Sequence, residues 1–192
     1  MAGAIWVYAE VVEGAITPTT LELLTKAAEV GTAEAILLGS APADAVETLG
    51  AFGAQKVYRG EDAIFDEFLT LPAIETVASL IESEQPAVLL SASSYAGRDL
   101  TAGLCAGFDC GAISDVGDFQ LKDGSVEASI PALGGSYLST TTLVCEGPKL
   151  LLVRPKSFEP KRTGGTATVE AVSPPSGEGV RRVRVQIGRA HV

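Results

Sequence analysis

The run richest in side chains able to do chemistry is Ser91-Ala92-Ser93-Ser94-Tyr95-Ala96-Gly97-Arg98-Asp99-Leu100. Hydroxyls, a glycine and an Arg-Asp pair at the start of a helix can hold an anion, because a helix amino end offers free N–H groups and a favourable dipole. The same residues have a structural reading, in which Asp99 and the serines cap the helix and Arg98 pairs with a neighbouring domain. Ser91, Gly97, Arg98 and Asp99 are therefore the candidate positions for a nearby nucleotide or partner, and none is expected to be catalytic. A second carboxylate-bearing run, Glu10-Val11-Val12-Glu13-Gly14, is the opposite of a pyrophosphate-binding turn, and the chain contains neither G-x-G-x-x-G nor a Walker A motif. Cys105, Cys110 and Cys145 read as buried thiols in preference to a Cys-x4-Cys metal pair, since no histidine stands beside them. Asp115 and Asp118 read as turn residues rather than an acid–base pair. Arg181, Arg182 and Arg184 form the one basic cluster, with the alternation of an edge strand or of a contact with an acidic neighbour.

The single histidine, His191, would matter for Ser-His or Cys-His chemistry. Residues 187–192 can, however, be written as the codons ATC GGA AGA GCA CAC GTC, a string that resembles a common sequencing-adapter oligonucleotide; they are expected to be a non-native tail, with the natural polypeptide running on past Gln186. A small-molecule hydrolase or transferase is disfavoured, because no other histidine is present for general-base work.

The elements that must position these residues alternate. Residues 4–9, AIWVYA, are too short an apolar run for a buried helix and read as a central strand. Thr17-Pro18 opens a helix over 17–30, Thr17 capping and Pro18 preorganised for the first turn, and Gly31 closes it. Strand 35–38, helix 43–49 and strand 56–58 follow, then a helical stretch over 63–84 interrupted at Pro72, a buried strand over 87–91, and loop then helix over 93–108. Parallel strands need long crossovers and helices supply them, so the fold class is α/β: a doubly wound, Rossmann-like, mostly parallel sheet. After Gly111 the pattern changes to short runs at 116–121, 125–130, 137–144 and 150–153, punctuated by Asp123-Gly124, Gly134-Gly135 and Gly147-Pro148. These predict an antiparallel strand appendage. Gly103-x3-Gly107-x3-Gly111 permits close helix packing. Residues 1–158 are expected to form one domain, with 159–186 a Gly- and Pro-rich linker holding at most one weak strand at 166–172.

With 192 residues, 46% of them hydrophobic and 20% charged, and a mean hydropathy of +0.28, the chain has the composition of a compact domain. Its net charge of −10 repels a nucleic-acid backbone or an anionic membrane surface. The absence of a basic signal-peptide region and of an apolar run near the membrane-spanning length makes a cytoplasmic protein without direct membrane insertion the expectation.

Taken together, the opening IWVYAE, the helix Thr17-Pro18-Thr19-Thr20-Leu21-Glu22-Leu23-Leu24, the loop Ser93-Ser94-Tyr95-Ala96-Gly97-Arg98-Asp99-Leu100 with the later Ala112-Ile113-Ser114-Asp115-Val116, Gly134-Gly135 and Val153-Arg154-Pro155 resemble the N-terminal domain of the electron transfer flavoprotein alpha subunit, over residues 1 to about 160. One departure is Ile130-Pro131, where many relatives carry Arg-Pro. The resemblance implies a heterodimer with a beta subunit that carries electrons from dehydrogenases, such as acyl-CoA dehydrogenases, to a quinone oxidoreductase or other acceptor. It further implies that FAD does the redox chemistry and is gripped by a C-terminal domain absent here, so that this fragment alone is expected to bind none. The alternative from another class is a stand-alone adenine-nucleotide-binding module of universal-stress type, which needs a Gly-rich phosphate loop after the fourth strand.

Overall fold

The computed structural model describes residues 3–122, 125–145 and 147–176. Its first strand, β1 (Ile5–Ala9), is buried throughout apart from Tyr8, which is partly covered. Four residues later the chain turns through Glu13 (φ 52°) and Gly14 (φ 75°), a two-residue turn with both central residues left-handed, to join the short strands β2 (Val11–Val12) and β3 (Ala15–Ile16). The Glu13-Gly14 pair thus makes a hairpin that sequence patterning missed. Helix α1 (Pro18–Val30) begins at the expected cap, where Thr17 Oγ1 accepts from Thr20 N at 3.3 Å, and ends with the Gly31 N–H on the Ala27 carbonyl.

The chain continues through β4 (Ala33–Leu38), α2 (Ala45–Ala51), β5 (Lys56–Gly60), the single turn α3 (Ile64–Glu67), α4 (Leu71–Glu84), β6 (Val88–Ala92) and α5 (Tyr95–Phe108). Pro72 lies in the first turn of α4, where a missing N–H costs nothing; the interruption falls just before it, at Leu69-Thr70. Next come β7 (Ala112–Val116), β8 (Asp118–Lys122), β9 (Ser125–Ala132), β10 (Tyr137–Thr142), β11 (Leu150–Val153) and β12 (Thr168–Ala171).

Seven strands form one sheet in the order β12-β5-β4-β1-β6-β11-β7, every pair parallel. The doubly wound α/β fold is as the alternation demanded. Because strand side chains alternate, Ile5, Val7 and Ala9 of β1 join Leu23, Leu24 and Ala27 of α1 and Leu49 of α2 on one face, while Trp6 joins Val77 and Ile81 of α4 and Leu100 and Leu104 of α5 on the other.

A separate antiparallel sheet, β10-β9-β8, confirms the appendage but not its extent. Leu150–Val153 was expected in that appendage and is instead β11, paired parallel between β6 and β7. Its continuous apolar run LLLV is the pattern of a strand covered on both faces, and all four residues are buried. The parallel strand at 112–116 was likewise not anticipated. The weak strand expected at 166–172 is β12, lying parallel beside β5 at the sheet edge, and the residues before it return along the domain: Lys161 N donates to Thr25 Oγ1 at 3.0 Å and Thr163 N to the Ala51 carbonyl at 2.7 Å. Arg181, Arg182, Arg184, His191, the tail 187–192 and the Asp123-Gly124 turn lie outside the described residues. Among the described residues no helix is long and apolar enough to cross a membrane.

Candidate functional site

In an open parallel sheet the binding crevice opens where consecutive crossovers depart in opposite directions. Here that point lies between β1 and β6, since β4 flanks β1 on one side and β6 on the other. Glu10 leaves β1 into this crevice, and Ser93-Ser94 leaves β6 into α5.

The two are tied together. Ser94 is the N-cap of α5, its Oγ accepting from Gly97 N at 2.9 Å, and the same hydroxyl donates to Glu10 Oε1 at 2.6 Å. Burial pushes the Glu10 carboxyl above its ordinary value, against the opposing pull of the Ser94 hydroxyl and the Gly97 N–H. Burial and then the nearby Glu10 charge push Tyr8 up to about 12. The backbone of Glu10 is pinned as well, its N–H donating to Thr20 Oγ1 at 3.0 Å and its carbonyl accepting from Thr17 N at 2.9 Å. The seat that an anion would take at the amino end of α5 is therefore occupied by a carboxylate of the chain itself. Gly97 is buried, and a Cβ there would collide with the Ala92 carbonyl oxygen. This glycine serves close packing of α5 on β6.

The other sequence candidates scatter. Ser91 is buried in β6, and its Oγ has no hydrogen-bond partner among the described residues. Asp99 was expected at a helix cap; α5 starts at Tyr95, so Asp99 falls in the second turn, exposed, and Ser94 alone supplies the side-chain cap. Arg98 is exposed beside it and adds to the field that lowers Asp115.

Sequence reasoning set Asp115 and Asp118 aside as turn residues, but both are ion-paired. Lys26 Nζ stands 2.6 Å from Asp118 Oδ1. Arg154 grips Asp115 with two bonds, Nε–Oδ1 at 2.8 Å and Nη2–Oδ2 at 2.5 Å, and this guanidinium holds the Asp115 carboxyl below its usual range. Asp115 has φ 60° at the β7–β11 register shift, a left-handed position that aspartate tolerates better than most residues. The signal for this pair was present as Asp115-Val116 and Arg154-Pro155, each just where a strand ends.

The three cysteines expected as buried thiols are only half-buried. No group of three His, Cys, Asp or Glu among the described residues is arranged to hold a metal. What the carboxyl edge presents is a closed crevice flanked by an exposed, charged rim.

The model of the electron transfer flavoprotein domain matches residues 5–176. The chain belongs to that family. It is similar to the electron transfer flavoprotein subunit alpha of Mycobacterium tuberculosis, 30% identical over 172 residues that make up 88% of this chain and 53% of the relative. Protein FixB of Clostridium saccharobutylicum is 28% identical, over 84% of this chain and 50% of its own. The subunit LctC of the lactate dehydrogenase (NAD(+),ferredoxin) of Acetobacterium woodii is 27% identical, over 80% and 38%. The chain thus spans about half the length of the curated electron transfer flavoprotein relatives it matches.

Proposed function

We propose that this chain is the N-terminal scaffold of an electron transfer flavoprotein alpha subunit, which with a beta subunit carries electrons from dehydrogenases, acyl-CoA dehydrogenases among them, to a quinone oxidoreductase or another acceptor. The observation that carries the reading is a family match over residues 5–176 that nonetheless spans only about half of the alpha-subunit relatives. FAD is the redox group of the complete subunit. Its pyrophosphate does not fit the crevice between β1 and β6, where it would meet Glu10 instead of free N–H groups. The flavin is accordingly assigned to a part of the complete alpha subunit other than the residues described here, and no redox step to these residues.

This chain's own residues supply support and surface. The buried sheet fixes the domain, and the antiparallel sheet exposes Tyr137 and Leu138 at 66% and 73%, with Leu133 of the β9–β10 turn beside them in sequence at 79%. Exposed apolar groups of that size on one sheet suit a protein partner, and the beta subunit is the partner assigned. Arg98 and Asp99 are assigned to the same interface or to the flavin-bearing domain. The stand-alone adenine-nucleotide module is disfavoured, because the single glycine after β6, Gly97, is consumed by packing.

Two measurements test this. The isolated chain mixed with FAD should leave a desalting column colourless; stoichiometric yellow protein overturns the assignment of the flavin. The complete alpha subunit expressed with its beta subunit should purify as a yellow heterodimer that an acyl-CoA dehydrogenase reduces, and failure to associate overturns the family role.

A further inference from the structure

At the amino edge of the sheet, opposite the crevice, three cysteines from two segments of chain come together. Two of them are paired by the way α5 ends. Asp109 adopts the left-handed conformation (φ 48°, ψ 45°), and the Cys105 carbonyl accepts from both the Asp109 N–H and, at 3.1 Å, the Cys110 N–H. This turn folds the second residue past a helix back over the last turn, and the contact it makes there is ordinarily an apolar pair. In this chain the residues the turn brings together are Cys105 and Cys110.

The third comes from the segment before β11. Gly147 lies so close to Cys110 that a Cβ on it would stand 2.8 Å from the Cys110 Cβ and 3.7 Å from its Sγ. Cys145 Sγ sits 4.0 Å from the carbonyl oxygen of this same Gly147, which places Cys145 in the segment that lies against Cys110. Lys149 Nζ is 3.6 Å from Cys145 Sγ and donates to the Cys145 carbonyl. All three cysteines are partly exposed and none is in a disulfide.

We propose that Cys105 and Cys110 form a reversible dithiol–disulfide site, loaded through Cys145 by a low-molecular-weight disulfide. The Cys145 thiolate, beside the Lys149 ammonium, attacks one sulfur of the small disulfide; that S–S bond breaks, and the departing thiolate takes up a proton. Cys110 then attacks the Cys145 sulfur and expels the second small thiol. Cys105 attacks Cys110, and Cys145 returns as a free thiol. Two protein thiols are oxidised, one small disulfide is reduced to two thiols, and the two protons go to the leaving groups. Burial pushes both Cys105 and Cys110 up, the latter to about 11, which makes them poor first attackers; the first attack goes to Cys145 because Lys149 Nζ stands beside its sulfur.

Trypsin reports the outcome directly, since one fragment, 99–122, contains Cys105 and Cys110 and another, 123–149, contains Cys145. The folded chain is incubated with oxidised glutathione, acid-quenched, alkylated and mapped by mass spectrometry. The expected result is a fragment 99–122 that resists alkylation, is lighter by two hydrogens, and is restored by dithiothreitol. Cys145→Ala should slow its formation about tenfold while leaving the end point unchanged. Cys110→Ser should leave glutathione or Cys105 attached to Cys145. The proposal is overturned if all three thiols stay alkylatable, if glutathione remains on wild-type Cys145 with fragment 99–122 unchanged, if Cys145→Ala loads at the wild-type rate, or if chain unfolded in guanidinium reaches the same yield.

Discussion

β6 and β10 are strands of five and six residues, yet all of β6 is buried while five residues of β10 are exposed. β6 lies in the middle of the seven-stranded sheet between β1 and β11, with helices over both faces. β10 is one outer strand of the small antiparallel sheet, whose other two strands, β8 and β9, send Phe119, Val126 and Ala128 into the main core. The antiparallel sheet is thus anchored by β8 and β9 and leaves β10 as surface. Residues such as Leu138 are spent on nothing inside this chain. That difference separates a region whose side chains stabilise the fold from one whose side chains are largely exposed.

The comparison breaks most readily at matched leucines. Leu90 is fully buried in β6, so Leu90→Ala should cost about 2–5 kcal/mol in urea unfolding. Leu138→Ser, at 73% exposure, should stay within about 0.5 kcal/mol and instead weaken capture by the beta subunit. Equal losses of stability at the two sites would erase the distinction.

Two glycines of α5 sharpen it within one helix. Gly97→Ala drives a methyl into the Ala92 carbonyl oxygen and should cost about 1–3 kcal/mol. Gly107→Ala meets nothing within 4 Å and should stabilise the helix by up to about 1 kcal/mol. Thermal unfolding of both variants checks the pair.

Glu10 tests the crevice through pH. Its carboxyl is raised by burial, so the fold favours the neutral form; the stability tied to it is full below the ordinary value of 4.5 and is lost as pH rises through the raised one. Glu10→Gln keeps an oxygen for Ser94 to bond and cannot ionise. Its stability should therefore fall less than that of the wild type across that window in urea titrations at stepped pH, and an unchanged profile would mean that Glu10 ionises without penalty.

Arg98→Ala should have the smallest effect on the fold, because the side chain is exposed. Unfolding should be unaltered within about 0.5 kcal/mol, while subunit association or flavin retention in the heterodimer declines. A sharp fall in unfolding temperature with association intact would make Arg98 an internal support.

Much of the parallel sheet was legible because β1, β4 and β6 are short apolar runs separated by capped helices, a local pattern. β11 was legible as a strand but not in its place: turn residues on either side suggested a hairpin, and only the pairing partners reveal a parallel insertion between β6 and β7. At the site, Gly97 and Ser94 stood in the quoted loop, but their tie to Glu10 spans 84 positions and has no local signature. Asp115 and Arg154, 39 apart, were each visible and their pairing was not.

The amino-acid sequence by itself determined the fold class, the start of α1 and the buried character of the central strands, because capping, turn chemistry and hydrophobic period act over a few residues. Tertiary structure alone decided the order of strands in the sheet, the closing of the crevice by Glu10, the conversion of two set-aside aspartates into ion pairs, and the approach of the segment bearing Cys145 and Gly147 to Cys110. Each of these joins groups distant along the chain, and such contacts form only when packing of the two faces brings them within a few ångströms.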